Sequence, residues 1–539
     1  MAAKSLLGSL FALLVAFFAR ALAWQSNLGV LHLPKLYARA PIAESGPPPL
    51  VATIELDVWA RRVGGPQPAY ALPHQGKPAI RLLVWIGYAP DPHIRSFGHL
   101  ALPVDPRAWA PQLVLEPEGP SPVIQSVLES RLKLLEVIGG HQLRPYSLRF
   151  ELPPGLASAT CFRLLERSYP DHKQPFCLPV EGLGVGELPA FAALPRRFRE
   201  WSGADAGDEV RTVSVCDQLA PPQRYTDGVP ALWAVVGPPR HPHSDRDWGQ
   251  HLQQIAIRTV HYLAYHVAMG MSGLLLYTDA VQRHYLRRVP ALQPYLTAGH
   301  LRLVDWDLPE RNHADDGRGR PLGYNYDQAL VTSHALLGLS ACGANLLVLT
   351  TDFDEYLYSP KPGVRWPDSW AACMPRQSPP PQQRPVAVWG LMRFELLSSA
   401  VAPRDEAALW SASPQPAGEE AGAAAVVAQS PLLAYYDRRG AEPINRVHAK
   451  HILMPGREVV SFFVHEGAPL HGARQFVEAD CLQLLHVSNY WRPRSHGGNG
   501  SLQHLDAGEF VEFRHWMAAG AAAAAAETAA GGAATATSR

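Results

Sequence analysis

Between residues 230 and 351 the apolar positions alternate between short continuous runs and longer helical stripes. ALWAVVGPP (231–239) is an apolar run closed by a breaker, the pattern of a strand and turn. In 248–270, Leu252, Ile255, Ala256, Val260, Leu263, Ala264 and Val267 recur at helical spacing and predict one sheet-facing stripe. Gly270 and Gly273 flank its stop. SGLLLYTD (272–279) reads as a second strand ending at Asp279, and 281–296 as a helical region broken by Pro290 and Pro294. HLRLVDWDLPE (300–310) reads as a third strand, 325–342 as a helix and 345–351 as a fourth strand. Such alternation predicts an α/β fold, with a mostly parallel sheet covered by helices.

The pattern differs on either side of this region. Residues 51–215 carry short strand-like runs at 51–60, 79–89, 111–119 and 146–155, separated by Pro and Gly. They predict a separate, mainly β domain. VLESRLKLLEVIGG (127–140) is its main helical alternative, and Trp59, Trp85 and Tyr88 either stack on sugars or fill its core. After residue 358, strands are expected at 386–399 and at 448–467, the latter a pair joined through Pro455-Gly456, with a further apolar element at 481–494. The second domain is thus expected over 228–515, with low-complexity insertions near 374–385 and 403–430. Residues 25–50 read as a linker or stalk. The alanine-rich tail 519–539 has no apolar stripe and is expected to be disordered.

Composition narrows the function. The 539 residues carry 48 Lys+Arg and 48 Asp+Glu, a formal net charge of zero, which argues against a nucleic-acid binder. Residues 1–24 have Lys4, an apolar run from Leu6 to Phe18 and Ala21-Leu22-Ala23, a signal peptide or a single signal-anchor. Either one directs the chain to the secretory route. None of the six cysteines forms a C-x-x-C pair; 161 and 177 are the nearest candidates for pairing, and Cys342 reads as a buried free thiol. Asn499-Gly500-Ser501 has the form of an N-glycosylation acceptor.

The chemistry concentrates in NLLVLTTDFDEYLY (345–358), where an apolar strand runs into Asp352-Phe353-Asp354-Glu355. If the chain stays extended, Asp352 and Asp354 point to one side. Two such carboxylates suit a hard divalent cation, Mn²⁺ or Mg²⁺, that bridges to a diphosphate. The plainer alternative is an acidic turn with Phe353 and Tyr356 packing. There is no G-x-G-x-x-G after the first strand and no G-x-x-x-x-G-K-S/T, so a diphosphate would be managed by metal and side chains.

HYLAYHVAMGMSGLLLYTD, YNYDQALVTSHALLGLSACGANLLVLTTDFDEYLY and the later KHILMP, VVSFFVHEGAP and LLHVSNYW together resemble glycosyltransferase family 92, once described as a domain of unknown function. The likeness covers about 230–495. It implies a GT-A fold and metal-dependent, inverting transfer of a hexose, often galactose, from a UDP-sugar to a glycan acceptor. It also implies a lumenal catalytic domain, in a single-pass type II Golgi membrane protein if the anchor is retained. By this resemblance Asp352 and Asp354 engage metal and the donor's ribose or diphosphate, and Glu355 shapes the sugar pocket. Gln328 matches a recurring glutamine, and Lys450, His465 and His486 fall in blocks with a basic residue and histidines near the cleft. Arg393-Phe394-Glu395-Leu396 and His486–Trp491 depart from the family pattern.

The residues also suggest roles of their own. His465, at the end of VVSFFV, is the preferred third metal ligand, and His486 the next. Lys450 or Arg446 is expected on phosphate. Glu395, Glu466 and Asp480 compete as general base. Asp279 and Asp307 are expected on the nucleotide side, and Tyr324, Tyr326, Tyr490 and Trp491 along the sugar. The rival readings are a glycoside hydrolase with opposed carboxylates and a non-catalytic lumenal glycan-binding protein.

Overall fold

The computed structural model describes strands between residues 30 and 177, residue 219, most of 228–306, 331–374, 386–397 and 449–487, and short pieces at 426–427, 438–440, 502–504 and 516–522; these are the described residues. The fold has mixed α/β content, with parallel and antiparallel pairing in its main sheet.

Nine strands precede residue 180: β1 (Val30–Leu31), β2 (Leu36–Arg39), β3 (Glu55–Val63), β4 (Ala79–Gly87), β5 (Leu113–Pro117), β6 (Ile124–Leu128), β7 (Leu143–Glu151), β8 (Cys161–Glu166) and β9 (Tyr169–Cys177). β2 to β9 form one sheet in the order β2-β3-β4-β7-β6-β5-β8-β9, with every neighbour antiparallel. Alternate residues face its core: Leu148 and Phe150 are buried, as are Phe162 and Leu164. The start of the ambiguous 127–140 run belongs to strand β6, and Cys161 and Cys177 lie opposite each other in register.

The series read from 231 to 350 is present as β10 (Ala231–Val236), α1 (Trp248–Ala268), β11 (Gly273–Thr278), α2 (Ala280–Leu286), α3 (Gln293–Thr297), β12 (Leu301–Asp305) and β13 (Leu346–Thr350). These four strands are parallel and lie in the order β12-β11-β10-β13. The chain steps outward from β10 to β12, then returns past β10 to place β13 on its other side. Open α/β sheets bind their ligands at such a reversal, beyond the carboxyl ends of the strands, here those of β10 and β13.

The segment expected as a linker is partly built into the sheets. β1 pairs parallel with β12 and β2 pairs antiparallel with β3, so residues 30–39 contribute one strand to each sheet.

The remaining elements are β14 (Glu355–Tyr358), α4 (Trp366–Cys373), β15 (Val386–Leu391), β16 (Arg393–Leu397), β17 (Arg438–Gly440), β18 (Lys450–Leu453), β19 (Val459–Phe463), β20 (Glu466–Pro469), β21 (Ala473–Phe476), β22 (Gln483–Val487) and β23 (Leu502–His504). β18, β15 and β21 extend the main sheet beyond β13, and β18 runs antiparallel to both β13 and β15. The sheet is therefore mixed, where a mostly parallel one is expected. A second sheet has the order β14-β22-β16-β17-β23.

Two sequence stretches cross between these sheets. Residues 345–358 leave the main sheet after β13, turn through 351–354 and enter the second as β14. The single strand expected over 386–399 divides at Met392 into β15 and β16, which belong to different sheets. Buried positions lie on both sides of each crossing, so burial alone does not show which sheet each half joins.

α1 is buried beyond its predicted stripe, since β14 also packs on it. It ends in a Schellman motif: Gly270 N–H donates to Val267 O at 3.0 Å and Met271 N–H to His266 O at 2.9 Å, with Gly270 at φ 94°. β14 is an edge strand, and α1 closes its open side at Leu357. Tyr265 OH donates to Leu357 O at 2.8 Å, and Leu357 N–H donates to His266 Nε2 at 3.1 Å. Nδ1 of His266 lies 2.9 Å from Tyr262 O, and its ring stacks on Tyr356. Burial lowers the His266 pKa to about 3, keeping Nε2 an acceptor.

A disulfide joins Cys373, at the end of α4, to Cys481, just before β22. Cys342 is also disulfide-bonded, which corrects the free-thiol reading. Ala519, Gly520 and Ala522 are helical where disorder is expected. Gly520 lies so near Ala264 that a Cβ there would collide with the Ala264 carbonyl; a glycine among alanines permits this approach. The rest of the tail and residues 1–29 lie outside the described residues. Among the described residues no helix is long and apolar enough to cross a membrane.

His266→Leu leaves the buried Leu357 N–H without its acceptor. We predict a loss of about 1–3 kcal/mol of stability in chemical denaturation. An unchanged denaturation midpoint would contradict this role for α1.

Candidate active site

The acidic group following β13 is a turn. Glu355 N–H donates to Asp352 O at 3.1 Å, and Asp352 N–H donates back to Glu355 Oε2 at 2.9 Å. Thr351 Oγ1 donates to Asp352 O and Glu355 O, at 3.1 and 3.2 Å. Phe353 points into the core and meets the Tyr262 ring edge-on. The extended geometry expected for Asp352 and Asp354 is therefore corrected. Burial of Phe353 and the Glu355–Asp352 hydrogen bond bend the chain, and the two acids meet different partners.

Strand register supplies those partners. β18 runs antiparallel to β13 with Leu349 opposite Ile452, so Lys450 arrives beside the carboxyl end of β13. In the second sheet Glu355 on β14 lies opposite His486 on β22, and His486 lies opposite Glu395 on β16. These three residues form one transverse row. Arg393, two residues before Glu395, shares its face.

The side chains connect in sequence. Lys450 Nζ lies 2.9 Å from Asp352 Oδ2 and 3.2 Å from Glu355 Oε2. Arg393 Nη1 lies 3.1 Å from Glu355 Oε1, and its Nη2 lies 3.8 Å from Glu395 Oε1. His486 Nδ1 lies 3.0 and 3.1 Å from the two Glu395 oxygens, and its Nε2 lies 3.6 Å from Asp354 Oδ2. Four carboxylates thus alternate with Lys450, Arg393 and His486.

Burial and pairing compete within this chain. Burial pushes the Glu355 carboxyl up, against the pull of Lys450 and Arg393. Burial opposes charge on Lys450, but Asp352 and Glu355 outweigh it and raise its pKa. Burial likewise opposes charge on His486, yet Asp354 and Glu395 hold its pKa at about 10. Asp352 is the outlet of the group, with its side chain 33% exposed, while Glu355 is fully enclosed.

These placements revise several roles. Glu355, expected to shape the sugar pocket, is sealed beneath the turn and contacts Lys450, Arg393 and the Asp352 amide. Lys450, expected on phosphate, is buried and shared by two carboxylates. Both oxygens of Glu395 serve His486, leaving it an orienting partner in place of a free general base. Asp279 caps α2: its Oδ1 accepts from Gln282 N–H at 2.7 Å, completing a capping box. Asp480 is exposed in a turn, and Glu466 starts β20. Gln328, His465, Asp307, Arg446, Tyr324, Tyr326, Tyr490 and Trp491 lie outside the described residues.

Two side-chain donors of the kinds that ligate divalent metals meet at one place. Asp354 Oδ2 and His486 Nε2 face each other, an oxygen and an imidazole nitrogen, and Glu395 holds the opposite ring nitrogen. A carboxylate behind a ligating histidine is the usual way to orient such a ring. Among the described residues no group of three His, Cys, Asp or Glu side chains converges as a metal cage. Two protein donors leave positions for water and phosphate oxygens, as small divalent cations prefer. Asp352, already paired with Lys450, stands beside this pair as a polar contact at the rim.

Arg393 has no functional role in the sequence reading, where it marks only a departure from a pattern. Its part follows from the break at Met392, which the sequence does not signal. No protein-family model matches the chain, and no curated protein is significantly similar to it.

The raised pKa of His486 has a definite sign. Its ion pairs contribute stability that is full below about pH 6.5, the unfolded value. That contribution is lost as pH rises through about 10. We predict that the melting-temperature advantage of the metal-free wild type over His486→Gln shrinks steadily from about pH 7 to about pH 10. A constant difference across that range would contradict a charged His486.

Proposed function

We propose that this chain is a metal-dependent, inverting glycosyltransferase that moves a hexose, galactose in the first instance, from a UDP-sugar to a glycan acceptor. The observation that carries the reading is the place of Asp352 and Asp354, at the carboxyl end of β13 beside the reversal between β10 and β13. A nucleotide sugar bound beyond those strand ends would meet acids already fixed by buried cations. The sequence resemblance to glycosyltransferase family 92 supports the same chemistry. In this reading the region after residue 228 is a GT-A-like domain and the N-terminal β sheet an accessory domain, with the whole in the Golgi lumen behind an N-terminal signal or anchor.

Asp354 and His486 would hold the Mn²⁺ or Mg²⁺. The bound cation supplies charge neutralisation for the departing diphosphate. Glu395 orients the His486 ring through Nδ1, keeping Nε2 aimed at Asp354. Lys450 steadies Asp352, which would contact the donor's ribose or diphosphate. Glu355 keeps the turn closed through the Asp352 amide. Because burial of His486 is outweighed by Asp354 and Glu395, which favour its protonated form, ligation at Nε2 would have to displace that proton, so cation binding would strengthen as pH rises.

The test is UDP release from a panel of UDP-sugars with and without Mn²⁺. We predict donor turnover that requires the metal, and a loss of at least about 100-fold in Asp354→Ala with the fold retained. Full activity of Asp354→Ala in chelator would overturn the mechanism. Sugar release without nucleotide or metal would mark a hydrolase instead, and glycan binding without UDP-sugar binding a non-catalytic protein.

A further inference from the structure

We infer that Arg393 is a positioning residue that sets the affinity of the metal site by fixing both of its ligands from behind; the inference rests on the proposed cation at Asp354 and His486. Arg393 lies on the face of β16 shared with Glu395 and pairs with two carboxylates: Glu355, which closes the turn that carries Asp354, and Glu395, which holds the His486 ring. Its Nη1 holds Glu355 Oε1 at 3.1 Å, and Glu355 is the backbone neighbour of Asp354. Its Nη2 lies 3.8 Å from Glu395 Oε1, the atom that holds His486 Nδ1 at 3.0 Å. One planar group therefore braces the turn that carries Asp354 and the carboxylate that holds His486.

The backbone reinforces this arrangement. Val487 N–H donates to Asp354 O at 2.8 Å, tying the turn to the strand that carries His486. Leu484 N–H donates to Met392 O at 2.9 Å, fixing the start of β16 against the same strand. Arg393 is 13% exposed at its side chain, so its charge is little screened by water. Lysine cannot replace it fully, because an ammonium is a point charge without the fork that reaches two carboxylates at once.

Mn²⁺ binding is measured by titration calorimetry on the purified full chain, with thermal unfolding as the check on folding. Wild type is expected to bind Mn²⁺. Arg393→Met is expected to bind about 10–100-fold more weakly, the usual cost of losing an outer partner of a metal ligand. Arg393→Lys is expected to recover part of that loss. A folded Arg393→Met with wild-type Mn²⁺ affinity would overturn this inference alone. Absence of Mn²⁺ binding by folded wild type would overturn the metal reading and this inference with it. If Arg393→Met does not fold, Glu395→Gln replaces it: weakened binding supports the relay from Arg393 through Glu395, and unchanged affinity overturns it.

Discussion

Acidic side chains gathered at the edge of a sheet repel one another, and the seam between the two sheets is built to contain that repulsion. Two like charges about 4 Å apart oppose each other by roughly 4 kcal/mol at an effective dielectric of 20. Here Lys450 separates Asp352 from Glu355, Arg393 joins Glu355 to Glu395, and His486 stands between Glu395 and Asp354. With His486 neutral the group carries two excess negative charges; with it protonated, one. A divalent cation meeting Asp354 and His486 would therefore find a site still short of positive charge.

Each cation reaches the seam by a different route. Lys450 comes from β18, antiparallel to β13; Arg393 comes through the break at Met392; His486 comes from β22 of the second sheet. Fold and site are thus one problem, because a register slip in any of these strands would turn its charge to the other face. α1 supports the arrangement from below by completing the hydrogen bonding of β14. The Cys373–Cys481 disulfide holds the approach to β22. Asp352, alone among the acids in being one-third exposed at its side chain, is where this closed network opens toward solvent.

Much of the parallel half of the sheet was legible in the sequence. The apolar runs of β10 to β13 and the stripe of α1 follow from hydrophobic periodicity, and Asp352 and Asp354 stand out by their place after a strand. Three features were not legible, each for a physical reason. β1 and β2 are too short for alternation to register, so 25–50 read as a linker. The runs at 345–358 and 386–399 change sheets between two stretches of buried positions, and the local pattern does not say that the second stretch joins a different sheet. The partners of the acids come from strands distant in sequence, and pairing register is written in no local pattern; the contacts of Lys450 with Asp352 and Glu355, of His486 with Glu395, and of Arg393 with Glu355 therefore went unread.

The most direct test is anomalous diffraction from a crystal soaked with Mn²⁺ and UDP. The account places the manganese signal between Asp354 Oδ2 and His486 Nε2, with the diphosphate beyond the carboxyl ends of β10 and β13. Manganese and nucleotide bound together at another surface, with Asp354 and His486 still paired directly, would contradict it.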